Sequence, residues 1–161
     1  SNTGGEDGDL KKGVAWPSPR FTDNGNGTVT DNLTKLIWLK NANAFGLRTW
    51  EQALSDANTL ASGSAGLTDG SKAGDWRLPN VKELQSLIDF AYYGPALSSA
   101  SGTSQWTSGN AFIGVQSSYY WSSTTYSGNA SGAWYVYLAD GFVYYDNKAN
   151  TNYVWPVRAG R

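Results

Sequence analysis

The chain has 161 residues, the length of one ordinary domain, with 40% hydrophobic, 14% aromatic and only 16% charged residues. It has no His, Cys or Met, which excludes a Ser-His-Asp triad, a Cys nucleophile, a disulfide and any zinc or iron site built on Cys or His. A net charge of −1 argues against nucleic acid as a partner, and no run of 18 apolar residues is present to insert into a membrane. No initiator Met or signal peptide is present, so the chain reads as a trimmed fragment.

Residues 1–19 read as a flexible, Gly-rich lead-in, and residues 20–161 as one ligand-binding domain. Asn24-Gly25-Asn26-Gly27 between Phe21-Thr22 and Thr28-Val29-Thr30 predicts a hairpin, because its positive φ angles suit Asn and Gly. The same stretch resembles part of a calcium loop. The offsets are wrong and no closing Glu follows, so a plain turn is the better reading and no metal is expected. Leu36-Ile37-Trp38-Leu39 follows as a buried strand. Thr49 with Gln52 predicts a capping box opening a helix whose apolar positions run from Trp50 to Ala61. Asn80 with Glu83 predicts a second, with a buried stripe of Val81, Leu84, Leu87 and Ile88. Residues 92–118 form a long Gly/Ser/Ala-rich loop region, of a length that is usually functional or mobile. A strand at 119–124, a hairpin of 134–138 with 142–145 around Ala139-Asp140-Gly141, and a strand over 153–158 that closes the sheet complete an α+β order.

Charge and tyrosine are unevenly placed. Residues 91–161 hold five of the 25 charged residues and all ten Tyr. Carboxylates are the remaining acid/base groups, but Glu51, Glu83, Asp75 and Asp140 each have an ordinary cap or turn role, so no cofactor and no catalytic residue is expected. In the 134–138 strand, if Trp134, Val136 and Leu138 face the core, then Tyr135 and Tyr137 face out. Tyr mixed with Ser, Gly, Asn and Asp is also the composition of antibody paratopes. Tyr135, Tyr137, Phe142, Tyr144, Tyr145, Tyr153 and Trp155 therefore read either as cross-strand packing or as a ligand surface.

Arg20 to Asp31 with Leu36-Ile37-Trp38, Gly74-Asp75-Trp76-Arg77-Leu78-Pro79-Asn80, Tyr120-Trp121-Ser122-Ser123-Thr124 and Tyr153-Val154-Trp155-Pro156-Val157-Arg158 together resemble the Lcl-type C-terminal domain, found in a collagen-like bacterial adhesin and in many bacterial surface proteins. The resemblance implies a C-type-lectin-like fold, two helices flanking a small antiparallel sheet, exposure at the cell surface, and binding of sulfated glycans, with a trimer as the oligomer if adhesin-like. Many relatives carry a Cys pair where this chain has Ala44 and Ala65. The segment Ala133 to Lys148 also resembles the variable region of proteins diversified by retroelements, which display varied residues on the same kind of fold. Randomised Asn codons yield Tyr, Asp, Ala and Phe, as at Tyr135, Tyr137, Ala139, Asp140, Phe142, Tyr144, Tyr145 and Asp146, and Asn147, Asn150 and Asn152 look like unchanged template codons. The expected ligand site is this set with Trp155, and the expected partner is a protein or glycan on a cell surface. The lectin calcium motif is absent: Leu78-Pro79-Asn80 does not match it.

Overall fold

In a computed structural model, residues 4–6, 10 and 12–160 are described; the lead-in positions 1–3, 7–9 and 11, and residue 161, lie outside them. Among the described residues, seven strands form two antiparallel sheets rather than one. The first has the order β1–β2–β3–β7, from Phe21–Asp23, Thr28–Asp31, Leu36–Leu39 and Val157–Ala159. The second has the order β4–β5–β6, from Tyr119–Thr125, Gly132–Tyr137 and Val143–Asn147. Two helices, α1 (Trp50–Thr59) and α2 (Val81–Gln85), lie between them in sequence, giving the expected α+β class.

The predicted hairpin at 24–27 joins β1 to β2. Asp23 Oδ1 accepts from the Gly25 amide at 3.0 Å, and Asp23 Oδ2 pairs with Lys40 Nζ at 2.6 Å, so this carboxylate closes a turn. Gly27 is required there: at φ 83° its Cα lies against the Gly66 carbonyl, and a Cβ would collide with backbone.

Both capping boxes form. Thr49 Oγ1 accepts from the Gln52 amide while Gln52 Oε1 accepts from the Thr49 amide, and Asn80 and Glu83 do the same at 2.8 Å each way. Each helix is shorter than its apolar pattern. α2 stops at Gln85 because the Leu87 amide reaches only three residues back, to the Leu84 carbonyl, tightening the chain into a turn. Leu87 and Ile88 are buried from that turn, not from a helix.

One core spans the two sheets. Phe21, Val29, Trp38 and Leu39 from the first meet Tyr120, Val136 and Leu138 from the second, together with Leu84, Leu97, Phe112 and Trp155. Ala44 and Ala65 both pack on its margin. The long 92–118 region is tied down: Ala96 donates to Leu138, Ile113 donates to Lys40, Phe21 donates to Ala100, and Phe112 is fully buried edge-on to Phe21 and Trp155. The length of this loop serves core coverage. Beneath the lead-in, Arg20 is entirely buried, with its guanidinium paired to Asp31 at 2.9 and 3.0 Å, donating to the Ser86 carbonyl, and stacked under Trp16.

Residues 153–158 were expected to close one sheet. They cross between two: Tyr153 exchanges backbone bonds with Tyr119 and Trp121, and four residues on Val157 enters β7 beside β3.

Candidate functional site

The β4–β5–β6 sheet divides its side chains by the register. Tyr119 pairs with Tyr137, Trp121 with Tyr135, and Tyr135 with Tyr144, so these share one face. Tyr120, Val136 and Leu138 point the other way, into the core. Tyr135 and Tyr137 therefore point away from the core as expected, whereas Trp134, expected to face the core with Val136 and Leu138, is half-buried against Tyr126 and Tyr145 instead.

That face is not open along its whole length. At one end α1 lies on it: Ala53 and Ala57 pack with Trp121, Ala133, Leu78 and Val154 in a second buried cluster. The Trp121 indole donates to the Arg48 carbonyl, and the Trp50 indole to the Ser122 carbonyl, both at 2.8 Å. Beyond α1 the face is bare. Tyr119, Phe142 and Tyr144 are 42%, 53% and 48% exposed, with Tyr135 and Tyr137 half-buried among them. Tyr119 stacks on Tyr137 at 4.7 Å and meets Tyr135 edge-on at 4.8 Å, and Phe142 stacks on Tyr144 at 5.8 Å. Burial, the nearby Tyr119 phenol and the Asp146 carboxylate all push the Tyr135 hydroxyl above its ordinary value.

The hairpin tip is a built turn. Asp140 Oδ1 accepts from the Phe142 amide at 2.8 Å, and Gly141 at φ 84° brings its Cα against Ile88 and Phe90. Phe90 and Tyr93, 76% and 73% exposed, flank this tip; Gly94 donates to the Ala139 carbonyl.

Tyr135, Tyr137, Phe142, Tyr144 and Asp146 come together on one face, with Asp140 at its tip. The other expected residues do not join them. Trp155 is fully buried, its indole bonded to the Leu39 carbonyl and its ring against Trp38, Phe112 and Tyr120. Ala139 is buried under the 89–96 segment, and Asn152 is buried in a two-way backbone pairing with Arg48. By register Tyr145 and Asn147 alternate to the other side; Tyr145 stacks flat on Tyr126 at 4.0 Å, yet its ring also stacks on Tyr144 at 4.6 Å, so it borders the aromatic set at the sheet edge. Asn147 closes a turn by accepting from the Ala149 amide, and Asn150 donates to Asp146. Tyr119 is the member that strand alternation inside 134–145 could not reveal. Its signal is the sequence Tyr119-Tyr120-Trp121, once the register against β5 is known.

Of the carboxylates considered for catalysis, Glu83, Asp75 and Asp140 serve caps, turns or ion pairs. Glu83 holds Arg77 at 2.7 Å and the Asn80 amide, and Asp75 accepts from the Lys72 amide. Glu51 borders an open depression of about 460 Å³ with Thr49, Ser131, Asn147 and Lys148. No helix among the described residues is long and apolar enough to cross a membrane.

An exposed aromatic sheet face with one end free is the kind of apolar patch that marks an interaction site. Residues 27–158 match the Lcl C-terminal domain family, and the chain belongs to that family. No curated protein matches the chain.

Proposed function

We propose that this domain is a non-enzymatic receptor-recognition module, displaying a variable aromatic surface on a C-type-lectin-like scaffold, as in proteins diversified by retroelements. Two helices with two small antiparallel sheets support the scaffold reading. The observation that carries the function is the exposure of Tyr119, Phe142 and Tyr144 on a sheet whose central strand buries Val136 in the core on its other side. Rigid Tyr rings offer a partner large contact area at low entropic cost. Membership of the adhesin-like family supports exposure at a cell surface. Ala substitution of Tyr135, Tyr137 and Tyr144 together abolishes ligand capture in a protein-and-glycan screen while near-UV circular dichroism still reports a packed core; unchanged capture refutes the assignment. A template repeat and a reverse-transcriptase gene beside the coding sequence test diversification.

A second reading, an adhesin for sulfated glycans, draws on family membership. It requires a basic patch, and salt-insensitive binding to such glycans counts against it.

A further inference from the structure

We propose that the ligand surface takes a cationic protein segment, an arginine-bearing stretch of its partner, rather than a polyanion; this rests on the binding-surface reading above. The bare face combines aromatic rings with a carboxylate at its tip, and a second carboxylate stands at its α1-covered end. Asp146 lies on the same side of the sheet, two residues from Tyr144 and opposite Ala133 where α1 covers the face, and it accepts from the Asn147 amide and the Asn150 side chain. Asp140 stands exposed at the tip beside Phe142, with one oxygen on the Phe142 amide. Neither enters an ion pair among the described residues, whereas Asp23, Asp31, Asp56, Asp69 and Glu83 all do.

Of the basic side chains on the bordering segments, Arg48 is ion-paired and Lys148 is held against a ring and a hydroxyl. Arg48, whose carbonyl receives the Trp121 indole, holds Asp56 at 2.7 Å. Lys148 sits 4.0 Å over the Trp50 ring and donates to Thr125. At the bare end an arriving sulfate would meet ring faces and the exposed Asp140 carboxylate, with Lys148 held away on the Trp50 ring. An arriving guanidinium would lie flat on a Tyr or Phe ring and donate to Asp140. Ring faces attract cations, and planar guanidinium suits both contacts better than ammonium does.

The test uses the whole chain and three fluorescent probes: a nona-arginine peptide, a nona-lysine peptide and a heparin decasaccharide, read by anisotropy at low ionic strength. Nona-arginine binds saturably and more tightly than nona-lysine. Asp140→Asn, which keeps the turn acceptor and removes the charge, weakens it roughly fivefold, and Tyr144→Ala, which keeps every charge, does the same. Circular dichroism confirms that both variants are folded. Nona-arginine binding that is absent, or unmoved by both variants, overturns the proposal. Heparin binding that Tyr144→Ala abolishes overturns the cationic assignment and leaves the ligand surface standing. If the triple tyrosine variant also leaves every probe and every screened ligand unaffected, both readings fall.

Discussion

Arg20 and Asp31 are both fully buried, so breaking their pairing from one side strands a buried charge. Asp31 accepts the guanidinium with both oxygens and also receives the Leu33 amide and the Thr34 hydroxyl. Removing the carboxylate leaves a desolvated cation with no counter-charge. Asp31→Asn should therefore cost about 3–5 kcal/mol in urea unfolding. Gly141→Ala is the corresponding backbone case. Its φ of 84° disfavours any side chain, and the new Cβ would press on Ile88 and Phe90 at 2.7 and 2.9 Å. A loss of about 1–3 kcal/mol is expected by thermal melting, with a disturbed hairpin tip.

At the scale of elements, the helix starts were legible because a capping box is a local contract between residues three apart. Thr49→Ala and Asn80→Ala should each cost about 1 kcal/mol in chemical denaturation. Helix ends and sheet membership were less legible, because they depend on partners distant in sequence. Trp155 belongs to the same aromatic list as Tyr144 by composition. Only the acceptor at Leu39, 116 positions away, puts its indole in the core. Asn152 and Ala139 are buried for the same kind of reason, through Arg48 and the 89–96 segment. Alternation within one hairpin sorted Tyr135 and Tyr137 correctly, since a period of two needs no partner. It could not recruit Tyr119 from a strand whose register lies outside that hairpin.

For the molecule as a whole, the absence of His sets the pH response. Hydrogen bonding from Arg77 holds the Glu83 carboxyl below its ordinary value, and the Lys40 ammonium does the same for Asp23. Lowered native values mean that this stability is complete above the ordinary carboxylate range, about pH 4, and is lost as pH falls through the lower native values. Both pairs are partly exposed, so the loss is modest. Melting temperature should be nearly flat from about pH 5.5 to 8, where no imidazole titrates, and should decline below about pH 4. A decline already under way at pH 6 contradicts this assignment. The shared core between the sheets further predicts coincident unfolding by tryptophan fluorescence and far-UV circular dichroism.

The split of the β4–β5–β6 sheet into a core side and a bare side has an evolutionary reach. Tyr137, Phe142 and Tyr144 can be exchanged without touching Val136 or Leu138, and each exchange should move stability by no more than about 1 kcal/mol. Trp121 and Ala133, on the same face but under α1, have no such licence. A lineage carrying this domain is therefore free to retarget it step by step, with every intermediate still folded.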